Sequence, residues 1–243
     1  MIFVPRTFRM IRLGVVHMLL AAACCFTVFP FLWMAVSSLK TKAEVMAADA
    51  FLPSTPQYGN YLEIVFHSPI PRYLANSLLV AVSVAAIQVI CCSFFIYGVT
   101  FMRIRGRDVL FRLVLFTYMV PTAVTYIPCY IILSRLGLLD SYHGLILSNG
   151  VSVLGIFLLR QAFEAVPMET MEAARMDGAG HFRILTGVVF PMTRPSFVTF
   201  ILLSFINTYN SYMWPSLITD TPKLSLVSQG LRRFLYEGGA YGT

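Results

Sequence analysis

The amino-acid sequence predicts an all-α integral membrane protein, a polytopic bundle of helices. The first observation is the composition, because 58% of the 243 residues are hydrophobic and 12% are charged, whereas about a quarter of the residues are charged in a typical soluble domain. The second is the distribution, because the apolar residues form runs of about 20 residues or more, the length that crosses a bilayer. Together they exclude a soluble enzyme, a DNA-binding domain and a secreted disulfide scaffold.

The apolar runs between charged residues predict five membrane-spanning helices. The first run is too long for the apolar core of a cleavable signal peptide and has no clear small-residue cleavage site, so we expect the chain to retain it. The fourth run is only just long enough to span. The predicted spans are 13–39, 73–102, 113–134, 141–159 and 195–219.

The basic residues predict the orientation of these spans. Cytoplasmic loops carry an excess of Lys and Arg, and the clearest cluster of arginines lies in 103–112. Placing that cluster inside puts the N-terminal residues 1–12 and the polar loop 160–194 in the cytoplasm. The transmembrane domain is then 13–219, and 220–243 is an outer tail.

Several other classes of protein are excluded by what the spans and loops contain. Basic residues in short clusters between apolar runs do not form the patch that nucleic acid requires, and the cysteines lie in apolar runs, where they behave as small hydrophobic residues. His17 and His143 lie near opposite ends of their spans, so they cannot share a haem. Gly178-Ala179-Gly180-His181 lacks the lysine of a phosphate-binding loop. We expect no cofactor, no metal and no enzymatic activity, with any ATP bound by another polypeptide.

The loop between the fourth and fifth spans predicts a short helix at 167–178. Pro167 suits a helix start because its missing N–H would be unpaired there, and Glu169 is favoured in the first turn by the helix dipole. Gly178 is placed to end the helix. Pro167, Met171, Ala174 and Gly178 recur at helical spacing and predict a stripe of mostly small residues that permits close approach of another backbone.

The same loop resembles the EAA signature of ABC importer permeases. That signature reads E-A-A, three residues, G, nine residues, then I, any residue, L-P, and it is matched by Glu172-Ala173-Ala174, Gly178 and the segment 188–191. The chain departs from it with Val188 for Ile and Phe190 for Leu. The run 175–179 resembles the form found in the carbohydrate-importer branch. Further matches are Ser38-Leu39-Lys40, Asn76-Ser77, Gly137-Leu138 with Asp140, and Trp214-Pro215.

This resemblance implies the bundle of an ABC importer permease and a place in the inner membrane, with the N-terminus in the cytoplasm. It implies three kinds of partner besides lipid: a second permease subunit, identical or different, two ATP-binding subunits, and an extracytoplasmic solute-binding protein. A sixth span usually follows the outer tail in this branch, so the sequence either stops before it or represents a five-span form. The resemblance assigns coupling to the ATPase to Met171, Glu172, Ala173, Ala174, Asp177 and Gly178.

A polar stripe in the fifth span predicts the solute pathway. At helical spacing its members are expected to share one face, which Tyr209 and Tyr212 flank; they are Ser204, Asn207, Asn210, Ser211 and Trp214. Neutral amides, hydroxyls and aromatic rings suit a sugar, although such residues also hold helices together in membranes. The spans carry no buried cation, which favours a neutral sugar over a phosphorylated solute such as glycerol phosphate. Weaker candidates are Gln88, midway along the second span, and Thr122, Thr125 and Tyr126 in the third. Pro121 and Pro128 are expected to introduce kinks in the third span. The predicted pathway residues are Gln88, Asn207, Tyr209, Asn210, Ser211 and Trp214.

The function predicted from these features is that of a transmembrane subunit of a carbohydrate-uptake ABC importer. The alternative from another class is a membrane scaffold that transports nothing and whose EAA-like helix only docks a cytoplasmic partner. Replacing Gly178 by a bulky residue would separate the two, because only a transporter would lose uptake while its complex stays intact.

Overall fold

The computed structural model describes residues 6–47 and 50–237, and over these ranges it contains helices and turns but no strand. The all-helical prediction is confirmed. Parts of two predicted segments, 1–5 of the N-terminus and 238–243 of the tail, lie outside the described residues. The chain divides into two compact units, Met1–Ser68 and Pro69–Thr243.

The first unit contains a long helix and two short ones. Glu44 connects the beginning and the end of the loop around the second helix, because its carboxylate accepts hydrogen bonds from the Thr41 amide at 2.9 Å and the Ser54 amide at 3.0 Å. The Ser54 hydroxyl also donates to Glu44 and, with these amides, lowers the pKa of that carboxyl to about 2. The helices are α1 (Arg6–Ser37), α2 (Lys42–Ala47) and α3 (Gly59–His67).

The second unit is built around one long helix, α4, on which the later helices pack. Pro71 in the first turn of α4 suits a helix start. The helices that follow are α5 (Arg107–Tyr118), α6 (Thr122–Arg135), α7 (Tyr142–Leu147), α8 (Val153–Glu164), α9 (Met168–Met176), α10 (His181–Ile184), α11 (Phe190–Met192), α12 (Arg194–Tyr209), α13 (Met213–Ile218) and α14 (Val227–Glu237), with α4 itself at Ile70–Phe101.

The described helices provide fewer continuous spans than the five predicted. Two helices, Arg12–Ser37 and Ile70–Phe101, are long and apolar enough to cross a membrane. Two helix pairs qualify only when each is taken as one span, α5 with α6, bent by 101°, and the run His181–Met192 with α12, bent by 87°. The described residues therefore hold up to four spans.

The predicted third, fourth and fifth spans are each divided. Pro121 precedes α6 and produces the expected break in the third, whereas Pro128 lies within α6. The fourth is divided between α7 and α8, because the Ser152 hydroxyl accepts from the Gly155 amide and starts a new helix. The helix of the fifth ends at Tyr209 and a new helix starts at α13, because Pro215 could not donate to a continuing helix.

The tail after α13 is folded onto α4 over its described residues. The Asn76 amide donates to the backbone oxygens of Lys223 and Ser225 at 2.9 and 3.0 Å, and the Ser77 hydroxyl accepts from the Val227 amide at 2.7 Å. The matches at Asn76-Ser77 therefore lie where α4 holds the tail. α14 is a docked helix over 227–237.

Candidate functional site

The EAA-like segment folds as the short helix α9, within one or two residues of the predicted 167–178. Pro167 precedes its first turn. Gly178 ends it in the left-handed region, at φ +76°, which a glycine adopts without strain. The Ala179 amide donates to the Ala174 oxygen and the Gly178 amide to the Arg175 oxygen, both at 3.0 Å. This pair of bonds is the Schellman arrangement that glycine favours at a helix end.

One face of α9 is buried in its own chain. The Met171 side chain is 0% exposed and lies in an apolar core built from α4, α8, the α10 region and α12. Ala174 is partly buried against the same core. Part of the stripe of mostly small residues predicted for close approach therefore faces this chain's own bundle, and Met171 anchors α9 to it.

The opposite face of α9 is open. Glu172, Ala173, Asp177 and Gly178 are exposed, and the Met176 side chain is 89% exposed. The sequence did not identify Met176 as a surface residue of interest, because it belongs neither to the predicted stripe nor to the EAA signature. Coupling remains a prediction for the six residues assigned to it. Among them Met171 is buried in the bundle, Ala174 is partly buried, and the other four are exposed at the surface.

Two contacts connect the α9 region to the end of α4. The Arg175 guanidinium donates to the Phe101 backbone oxygen at 3.3 Å, at the last residue of α4. The Tyr97 hydroxyl lies 3.0 Å from the His181 Nδ1 atom, and the two rings meet edge to face. Arg175 of α9 and His181, the first residue of α10, therefore both contact the last turns of α4.

A polar cavity of about 140 Å³ lies among α4, α8 and α12, away from α9. Gln88 is its central side chain, 8% exposed: its amide nitrogen donates to the Asn149 backbone oxygen at 2.7 Å, and its amide oxygen accepts from the Ser204 hydroxyl at 2.8 Å. The lining residues are Val80, Gln88, Leu145, Asn149, Ser152, Leu154, Phe200, Leu203, Ser204, Asn207, Thr208, Ser211, Pro215 and Leu226.

The structure brings only half of the predicted pathway residues to this cavity. Gln88, Asn207 and Ser211 line it. Tyr209 stacks on Phe205 with ring centroids 5.6 Å apart. The expectation that Asn207, Asn210, Ser211 and Trp214 share one helical face is wrong, because α12 ends at Tyr209 and the periodicity does not continue across the break.

The two remaining predicted residues lie in other surroundings. Asn210 is the exposed residue that closes α12. Trp214 is buried; its indole nitrogen donates to the Ser148 hydroxyl at 2.9 Å and its ring stacks on Tyr126. Asn149, Ser152 and Thr208, which sequence reasoning missed, line the cavity instead. For the first two, the polar run 148–152 between apolar segments was the available signal.

The chemistry of the cavity is that of neutral hydrogen bonding. Its polar lining consists of amides and hydroxyls, and its remaining lining is aliphatic or aromatic. These groups both donate to and accept from the hydroxyl groups of a solute. Over residues 6–47 and 50–237, no group of His, Cys, Asp and Glu side chains is arranged to hold a metal ion.

A helical bundle with a surface helix of EAA spacing defines the class as that of importer permeases. The family model described as "Binding-protein-dependent transport system inner membrane component" matches residues 89–240. The chain belongs to this family. It is a transmembrane permease subunit of an ABC importer, and the predicted resemblance is confirmed.

Similar proteins cover most of the chain. The sn-glycerol-3-phosphate transport system permease protein UgpE of Brucella abortus (strain 2308) is 30% identical over 227 residues, 90% of this chain and 80% of the relative. The protein of the same name from Yersinia pestis bv. Antiqua (strain Antiqua) is 29% identical over 92% of this chain and 82% of its own length. A solved bacterial ABC transporter, involved in the import of the acidic polysaccharide alginate, has a matching chain with a TM-score of 0.83 and 26% identity, covering 96% of this chain and 82% of that one.

Proposed function

We propose that this permease subunit carries a polyhydroxylated solute, a sugar or a sugar-like phosphate, and takes its energy from a separate ATPase through α9. α9 lies in the cytoplasm in this proposal, and the N-terminus is cytoplasmic too. The chain pairs with a second permease, two ATP-binding subunits dock inside, and a solute-binding protein delivers the solute outside. The permease itself hydrolyses no ATP.

The observation that carries this proposal is the two-sided burial of α9. Met171 is locked into the apolar core while Glu172, Ala173 and Asp177 are exposed. A partner that moves the open face must also move the core behind it, because packed interiors transmit displacement rather than absorb it. The contacts of α9 with α4 provide the route towards the polar cavity.

The solute class is supported by two observations that point to different charges. The cavity is lined by neutral side chains, which suits an uncharged sugar, as the absence of buried cations in the predicted spans also does. The UgpE relatives are named for sn-glycerol-3-phosphate, which carries a negative charge. Both solutes present hydroxyl groups that Gln88, Asn149 and Asn207 can bind, and the charge is left to the uptake experiment.

Site-directed crosslinking tests the docking of α9. The exposed Cys24, Cys25, Cys91 and Cys129 are first replaced by serine, and Met176→Cys then supplies one exposed thiol on α9. We expect a bifunctional crosslinker to join this thiol to the ATP-binding subunit in assembled importer, because the side chain is 89% exposed. Leu136→Cys, at a position that follows α6 and is 64% exposed, is the control and should give no such product. Equal crosslinking of the two thiols would contradict the proposal.

Uptake by Gly178 variants separates a transporter from a docking scaffold. At φ +76° a bulky L-residue is strained, whereas asparagine tolerates the left-handed region. We expect Gly178→Leu to lose uptake while the complex still purifies intact, and Gly178→Asn to retain most of it. Unchanged uptake in Gly178→Leu would support the scaffold instead.

Uptake of radiolabelled solutes identifies the substrate class. Asn207→Ala is expected to lower uptake at least several-fold for the true substrate, because it removes an amide from the cavity lining. Glycerol 3-phosphate and a panel of neutral mono- and disaccharides are compared, with Asn210→Ala as the control outside the lining. If both variants behave like the parent protein with every solute, the pathway does not run through this cavity.

A further inference from the structure

A second, larger cavity lies between the end of α4, the following loop and α9, and it is strongly basic. Its volume is about 500 Å³. Four arginines line it, together with one carboxylate, that of Glu172. This cavity shares no lining residue with the polar cavity, and its four arginines are not among the residues predicted to couple to the ATPase. The arginines are Arg103, Arg105, Arg107 and Arg175.

These four guanidinium groups are not neutralised within the described part of the chain. The ion pairs there belong to a different residue, Arg160, which reaches Asp108 at 3.7 Å and Glu164 at 2.7 Å. Arg107 and Arg175 each donate one hydrogen bond to a backbone oxygen at the end of α4, at 3.4 and 3.3 Å. A guanidinium carries five N–H donors, so each retains donors for a ligand.

We infer that this cavity binds the phosphate headgroup of an anionic phospholipid. Guanidinium groups match phosphate geometry, and basic pockets beside transmembrane helices on the cytoplasmic side are sites for acidic headgroups. A lipid fits better than a soluble phosphate, because Ile104 and Met168 line the cavity and are exposed. Val109 and Leu110, in the first turn of α5 after the lining residue Arg107, are exposed apolar residues too. Acyl chains would cover these residues.

The cavity is lined from two sides, by α9 and by the loop after α4. α9 contributes Met168, Glu172 and Arg175 to the lining, and the loop contributes Arg103 and Arg105. A headgroup in the cavity would join the two and hold α9 against the end of α4. This inference rests on the proposed cytoplasmic position of α9 but not on its coupling to an ATPase, since it concerns binding by the chain alone.

Lipid binding to the purified full-length chain in detergent tests the inference. Native mass spectrometry would measure the binding of dioleoylphosphatidylglycerol and dioleoylphosphatidylcholine, with inorganic phosphate as competitor. We expect one saturable phosphatidylglycerol site, weakened about 30-fold by the double change Arg103→Ala with Arg105→Ala, since each basic residue contributes roughly one factor of five in affinity near an anionic headgroup. These two arginines make no bond to α4, so their replacement should leave the fold intact.

The matched control removes the same charge elsewhere. Arg183→Ala with Arg194→Ala changes two exposed arginines that follow α9 and do not line the cavity, and should bind phosphatidylglycerol as the parent does. Equal binding of phosphatidylcholine, an equal loss in the control pair, or competition by millimolar phosphate would overturn the inference. If the Arg103→Ala, Arg105→Ala variant binds lipid as the parent does but no longer retains the ATPase subunit in the assembled importer, a protein occupies the cavity instead and the inference is wrong.

Discussion

The core behind α9 and the polar cavity both include residues of α4, but the first is apolar and the second is lined largely by polar side chains. Around α9, the side chains of Met171, Phe163 and Ile184 are almost completely buried in an apolar core. Around the cavity, Gln88 and Ser204 are buried as a hydrogen-bonded pair and Asn207 is exposed. Apolar packing tolerates little displacement, whereas amides and hydroxyls can exchange partners with a solute. The first region suits transmission of force, and the second suits contact with a substrate.

The largest expected effect tests the packed side of this comparison. Met171→Ala removes a fully buried side chain, and we expect the free energy of unfolding to fall by about 2 to 5 kcal/mol. Met176→Ala changes the same residue type on the same helix where it is exposed, and should stay within about 0.5 kcal/mol of the parent. Denaturant titration in detergent, followed by tryptophan fluorescence, measures both.

That pair also decides whether α9 is anchored as the structure indicates. Similar losses in the two variants would mean that α9 does not pack through Met171. Reduced uptake in Met171→Ala alone, measured in intact cells at matched expression, would link this packing to transport.

A smaller effect is expected on the polar side. Gln88→Leu leaves the Asn149 oxygen and the Ser204 hydroxyl without their amide partner, which costs on the order of 1 kcal/mol for hydrogen bonds within a membrane bundle. We expect a large loss of uptake together with this small loss in the free energy of unfolding, because the amide lines the cavity. Gln161→Leu, at an exposed position of α8, is the control, and adding Ser204→Ala to Gln88→Leu should cost less than the sum of the single changes.

If Gln88→Leu lowers the free energy of unfolding by several kcal/mol and leaves uptake unchanged, the glutamine holds helices together and does not contact the solute. The polar cavity would then have a structural role like that of the core around α9, which would contradict the comparison.

The smallest expected effect concerns the loop that holds the described part of the tail. Asp140 accepts from the Asp220 and Thr221 amides at 3.1 and 3.0 Å and from the Thr221 hydroxyl. The Thr221 hydroxyl, followed by these amides, lowers the pKa of the Asp140 carboxyl. Because the pKa is lowered in the folded state, the stabilisation is complete above the ordinary value of about 4 and is lost as the pH falls through the lowered value.

Hydrogen exchange at the Asp220 and Thr221 amides, expressed as protection against intrinsic rates, measures this effect between pH 6 and about pH 3. We expect protection to fall with pH in the parent. Asp140→Asn keeps an acceptor oxygen and suits the positive φ of 50° at this position, so its protection should be lower and independent of pH. The same decline in the variant would assign the effect to another group.

Local features were predictable because their causes are local. α4 was expected at 73–102 and lies at 70–101, because a long apolar run bounded by arginines leaves few alternatives. α9 was expected at 167–178 and lies at 168–176, because a proline and a glycine mark its ends. The break at Pro121 also followed from the residue itself.

Features that depend on distant neighbours were not predictable from periodicity. The stripe on α9 was found, but Met171 faces the chain's own core because helices far along the sequence meet there. Ser204 and Gln88, 116 residues apart, form one hydrogen-bonded pair. Asn210 and Trp214 were placed on the pathway by extending a helix that ends at Tyr209.

The sequence by itself determined the membrane class, the family resemblance and the ends of α9, since charge distribution, motif spacing and capping residues act over a few turns of chain. The tertiary structure alone decided which face of α9 is buried and which polar groups line the polar cavity. It also decided that four arginines line a second, basic cavity. Burial is a property of the partners that a side chain meets, and those partners come from helices that only folding brings together.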